Sequence, residues 1–91
     1  MLTSGYPLYT TVRVPLPLDR AQVLVPRNRA THRPDGTRAT LVTIGGTSPE
    51  ELADHLLHLA TPLRVLTPAT VRYALRRRVH DLLDADEPEP N

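Results

Sequence analysis

Apolar and polar positions change period several times along this chain, and each change marks an element. Residues 10–16 alternate, with Val12, Val14 and Leu16 set against Thr11 and Arg13, the two-residue period of a strand with one buried face. Pro15 puts a strand end or an edge there. Residues 17–25 predict a short helix with Leu18, Ala21, Leu24 and Val25 on one face. Asp19 sits in its first turn, where the helix dipole favours a carboxylate, and Pro26 stops it. Two strand-like runs, 29–33 and 38–44, flank Pro34-Asp35-Gly36, whose proline presets φ and whose glycine accepts positive φ, so a hairpin is expected.

Gly45-Gly46 ends the second arm of that hairpin, and a helix follows. Ser48 is its N-cap, Pro49 its first residue and Glu51 the reciprocal half of a capping box. Leu52, Leu56 and Leu59 form its buried stripe. Residues 63–66 predict a short strand with Leu63 and Val65 on one face and Arg64 on the other. Thr67 is expected to cap the last helix and Pro68 to begin it. Val71, Ala74, Leu75, Val79 and Leu82 make its apolar face, which is expected to be buried on the chain's own sheet or against a second copy.

The order β-α-β-β-α-β-α is α+β. It predicts a ferredoxin-like βαββαβ fold with a four-stranded antiparallel sheet in the order 4-1-3-2, both inner helices on one face and an additional C-terminal helix. The expected core is Val12, Val14, Leu24, Leu52, Leu56, Leu59, Leu63 and Val65. Residues 1–9 read as a linker, 10–83 as the domain, and 84–91, acidic and poor in apolar residues, as a disordered tail.

The stretch HLLHLATPLRVLTPATVRYALRRRVHDLL resembles the end of the WCX domain, the C-terminal extension of bacterial WYL-domain transcription regulators. In that family a helix leads through a turn to a strand, a V-L-x-P step and a final helix opening with a V/L-R pair. Here Val65-Leu66-Thr67-Pro68 and Val71-Arg72 stand in those places. Ala60-Thr61-Pro62 replaces the glycine that the family usually carries before the strand. The winged helix-turn-helix and the Trp-Tyr-Leu triplet of full-length members are not in these residues. The resemblance implies a domain of a cytoplasmic regulator that helps sense an effector, single-stranded nucleic acid in some members, and helps form the dimer. Its partners would be the parent's WYL domain and a second protomer, with no membrane and no cofactor.

Composition narrows the chemistry. With 91 residues the chain suits one domain, and its 40% hydrophobic residues suffice for a core of Leu, Val, Ile and Ala without Trp or Phe. No apolar run approaches a membrane span, no secretory signal is visible, and without cysteine there is no disulfide or thiolate site. All eleven basic residues are Arg, a bias that weakens any argument from arginine counts alone. Arg72 and Arg76 stand one turn apart with His80 beyond them, while Arg77 and Arg78 can pair with Asp81. A DNA-reading helix would follow another helix and carry Asn, Gln or Ser, and this one follows a strand. Arg13 and Arg64 should meet across the first and last strands on the open sheet face, two planar donor forks suited to a phosphate or carboxylate. That face is expected to lack aromatics, so nucleic-acid binding there would rest on charge.

Arg13, Arg64, Arg72 and Arg76 are therefore the candidate ligand-binding residues. His55 and His58 lack a third ligand, so no metal is expected. Gly45-Gly46-Thr47-Ser48 reads as a strand end and a cap rather than an anion site. Neither serine suits a nucleophile, Ser4 lying near the start and Ser48 serving as a cap, so no enzyme is expected. A different class stays open: a stand-alone ferredoxin-like module that binds a small molecule or oligomerises, unrelated to transcription.

Overall fold

The structure, a computed structural model, describes residues 7–86. The expectations for residues 1–6 and 87–91 lie outside the described residues. The elements are β1 (Leu8–Val14), α1 (Leu18–Leu24), β2 (Ala30–Asp35), β3 (Ala39–Gly46), α2 (Pro49–His58), β4 (Arg64–Thr67) and α3 (Ala69–Asp86). The sheet has the order β2-β3-β1-β4, each neighbouring pair antiparallel. This is the expected order read from the other edge, an α+β ferredoxin-like arrangement with a C-terminal helix.

Alternation divides the sheet into two faces. Val12, Val14, Val42, Ile44 and Val65 are buried on the face that meets Val25, Leu52, Leu56 and Val71. Leu24, Leu59 and Leu63 are half-buried and pack against this core. Two buried hydroxyls on the same face are satisfied: Thr10 Oγ1 donates to Thr67 O at 2.8 Å, and Thr40 Oγ1 to Leu16 O at 2.9 Å.

Several element ends move from where periodicity put them. β1 begins at Leu8, inside the expected linker, and stops at Val14. Leu16 N–H donates to Val14 O at 2.8 Å, closing a three-residue turn around Pro15. In the hairpin, Pro34 and Asp35 are paired strand residues opposite Thr40 and Ala39, so the turn begins two residues later than expected, at Gly36, which takes a positive φ of 77°. Pro34 is tolerated because β2 is an edge strand.

The entry to α3 also differs. Thr67 ends β4 opposite Thr11 instead of capping the helix. The Pro68 carbonyl accepts the first helical bonds, from Val71 N–H at 3.1 Å and Arg72 N–H at 3.4 Å. The helix then runs through Asp86, past the point where a disordered tail was expected.

Only the first turns of the α3 stripe are covered. Val71 and Ala74 are buried and Leu75 is half-buried, but Val79, Leu82 and Leu83 are 39%, 49% and 66% exposed. Length explains the difference from the expected burial. α2 has 10 residues and α3 has 18, about 15 Å against about 27 Å, so α3 outruns its neighbour.

Candidate ligand groove beside β4

Register sets the open face of the sheet. Arg13 lies opposite Arg64 on one side and Leu41 on the other, and Leu41 lies opposite Arg33. One row along, Thr31, Thr43, Thr11 and Thr67 stand in line across all four strands. The Oγ1 atoms of Thr11 and Thr43 are 2.9 Å apart, a cross-strand hydrogen bond.

Two features of this face escaped the sequence reading. Tyr9, opposite Gly45, shares the open face with Thr11 and Arg13 by alternation and is 43% exposed, so the face does carry an aromatic ring. Periodicity missed it by starting the strand at Thr10. Arg13 is also not a free cation, because its Nε donates to Asp35 Oδ2 at 2.7 Å. Asp35 was read as a turn residue, and its place in β2 puts it within reach. The Arg13–Arg64 neighbourhood is as expected, but Arg13 is tied to a carboxylate and Arg64 has no carboxylate partner among the described residues.

Along β4 and the first half of α3 the chain forms a groove of about 760 Å³. Arg64, Arg72 and Arg76 stand around it, and Leu63, Leu66, Leu75 and Val79 give it apolar walls. The helical spacing of Arg72 and Arg76 and the outward turn of Arg64 on β4 bring three of the four predicted arginines together. Their states differ. Arg72 reaches back to the strand, donating from Nε to Val65 O at 3.3 Å and from Nη2 to Leu66 O at 3.2 Å, and so joins α3 to β4. Arg76 has no carboxylate partner among the described residues. A ligand here would meet two uncommitted guanidiniums over an apolar floor, with Arg72 holding the walls in place. Arg13 stands outside the groove and His80 does not line it.

The remaining polar clusters have structural roles. Ser48 Oγ accepts from Glu51 N–H at 3.1 Å, as a capping box requires. The reciprocal bond slips by one residue, Glu51 Oε1 accepting from Thr47 N–H at 2.6 Å and Thr47 Oγ1 at 3.0 Å. The Thr47 backbone bond first, then its hydroxyl, hold the Glu51 carboxyl below its usual range, with His55 adding to the effect against a small opposing burial. Gly46 serves packing, since a Cβ there would lie 2.7 Å from Leu52 Cδ2.

Arg78 does not pair with Asp81. Its Nη2 donates to Asp54 Oδ1 at 2.7 Å, an ion pair between α3 and α2 that intrahelical spacing could not foretell. His58 Nδ1 is 2.7 Å from Asp54 O, and His80 Nδ1 is 3.2 Å from Asp84 Oδ2. Among the described residues no three His, Asp or Glu side chains gather as a metal site. His32, on β2, has its Nε2 buried without a hydrogen-bond partner among the described residues, and nothing in the local sequence pattern signalled it.

Among the described residues no helix is long and apolar enough to cross a membrane. A comparison with curated proteins finds no match. The family model of the WCX domain matches residues 9–83, from the start of β1 to near the end of α3. The order of strands, the short β4, the proline step and all but the last three residues of the final helix fall inside that match, and the chain belongs to the WCX domain family.

Proposed function

We propose that this chain acts as the C-terminal regulatory domain of a WYL-type transcription regulator in the cytoplasm, contributing arginines to the site of an anionic effector and surface to a dimer. Membership of the WCX family supports the setting. The observation that carries the effector reading is the groove beside β4, where Arg64 and Arg76 face one cavity with no carboxylate to neutralise them among the described residues. Each guanidinium offers a planar fork that fits phosphate oxygens.

One domain of net charge +1 should bind such an effector weakly alone, at roughly 10⁻⁴ to 10⁻⁶ M, and less tightly as salt rises. Titrating a labelled single-stranded oligonucleotide at low and moderate salt tests this. Arg64→Ala with Arg76→Ala should abolish the signal. Arg13→Ala should have a smaller effect, since Asp35 already holds that side chain. Equal binding by the parent and the Arg64/Arg76 double variant would make these arginines structural and end the effector reading.

A further inference from the structure

The groove beside β4 is lined by leucine, valine and arginine alone, with no carboxylate, hydroxyl, amide or imidazole side chain among the described residues. Leu63 and Leu66 come from the β4 side, and Leu75 and Val79 from α3. Arg64 and Arg76 stand one on each of those walls.

The missing groups exclude several kinds of occupant. A cationic or zwitterionic ligand finds no counter-charge for its amine. A sugar or a base carries polar groups all round, and each one turned against leucine or valine loses its water without gaining a hydrogen bond. An extended peptide seeking to pair with β4 meets Arg72, whose guanidinium already takes the Val65 and Leu66 carbonyls. The lining does suit a ligand that is polar at one end only. Arg64 and Arg76 can each offer a planar donor fork to an oxyanion, and neither has a carboxylate partner among the described residues. The volume of about 760 Å³ falls in the range of small-molecule sites, roughly 300 to 1,000 Å³.

We propose that the groove takes a small anionic amphiphile, an aliphatic chain with a carboxylate or phosphate head. The head lies between Arg64 and Arg76, and the chain lies on Leu63, Leu66, Leu75 and Val79. This names the effector class of the site proposed above and rests on that reading. A ligand that brought charge alone would use the guanidiniums and leave the apolar walls in water.

Amide-resolved NMR titration of the full 91-residue chain with acetate, butanoate, hexanoate and octanoate tests the class. A fully buried methylene raises affinity about fourfold, so in an open groove about twofold for each added methylene is expected. The shifts should gather at β4 and the first half of α3. Salt should weaken every member of the series alike and leave the dependence on chain length unchanged, because screening acts on the head and not on the chain. Octylammonium should not bind, and the tighter of octanoate and octyl phosphate identifies the head. Val79→Gln, at a position 39% exposed, should flatten the dependence on chain length without lowering the melting temperature. Arg64→Ala with Arg76→Ala should weaken octanoate about tenfold or more.

The proposal is overturned if octanoate binds no better than acetate, if octylammonium binds as well as octanoate, or if the shifts fall outside the groove. It is also overturned if a second copy fills the groove, seen as concentration-dependent sedimentation that octanoate fails to disperse. A flat acetate-to-octanoate series beside an oligonucleotide signal that needs Arg64 and Arg76 ends the amphiphile and leaves the effector site standing. An oligonucleotide signal indifferent to those arginines ends the effector site itself, so the two failures are distinguishable.

Discussion

α2 and α3 lie against each other, yet only one is written for its own stability. α2 has a serine cap, proline at its first position, Glu50 and Glu51 in the first turn, and His55 and His58 in the last. Each of these choices suits the unpaired N–H groups and positive dipole at one end and the carbonyls at the other. Its apolar residues Leu52, Ala53 and Leu56 are buried. α3 has no acid in its first turn or base in its last, and its later apolar residues face outward. Its attachment comes from Val71 and Ala74 in the core, Arg72 on the β4 carbonyls and Arg78 on Asp54. A helix held by its first turns can spend the rest of its surface on something other than the fold.

The sharpest break in this comparison lies within α3. Val71 is fully buried, and Val71→Asp places an unpaired carboxylate in the core at a cost of about 4 kcal/mol or more. That is most of the stability of a domain at the low end of the ordinary range of roughly 5 to 15 kcal/mol, and thermal melting by circular dichroism will read it. Stability of Val71→Asp close to the parent's would show that even the first turns of α3 are not anchored.

A smaller effect is expected where α2 ends. Ala60 adopts a positive φ of 54°, and its N–H donates to Leu57 O at 3.2 Å. The left-handed conformation at a helix C-terminus is one that glycine takes without a Cβ penalty. Ala60 also opens the Ala60-Thr61-Pro62 segment that stands in place of the glycine in the resemblance to the WCX family. Ala60→Gly should therefore stabilise the domain by about 0.5 to 1 kcal/mol, the relief of strain outweighing the added freedom of the unfolded chain. Denaturant titration measures it, and a loss of stability would mean that the Ala60 methyl packs usefully.

The smallest effect concerns the start of α2. Binding by Thr47 lowers the Glu51 pKa in the fold, so its contribution is present above the ordinary value of 4.5 and is lost as pH falls through the lowered folded value. Glu51→Gln should melt slightly below the parent at neutral pH, and the gap should close in acid. A gap that persisted below the folded pKa would assign the effect to shape rather than charge.

The legible parts of the molecule were those that depend on near neighbours in sequence. The alternation of Val12 and Val14, the Ser48-Pro49-Glu51 signature and the Leu52–Leu56 spacing each state a local period or cap, and the structure realises them. The facing of Arg13 and Arg64 followed from topology, since the first and last strands are neighbours in this fold and the side chains alternate. The groove was legible only in part. Arg64, Arg72 and Arg76 were named from one sheet face and one helix turn, but neither pattern could say that strand edge and helix enclose a common space.

Other features depended on distances between elements, which no period encodes. Asp35 reaches Arg13 because β2 extends past the point where proline was expected to end it, and Arg78 finds Asp54 because two helices of different origin touch. Tyr9 reached the open face because pairing with Gly45 extends β1 beyond its visible alternation.

By itself, then, the sequence determined the elements, their order, the buried faces of β1, α1, α2 and β4 and the family, because hydrophobic period, caps and turn residues act over a few positions. Tertiary structure decided which charges are neutralised and how far the α3 stripe is covered. Those depend on the relative lengths of α2 and α3 and on strand register, and both act between residues far apart in the chain.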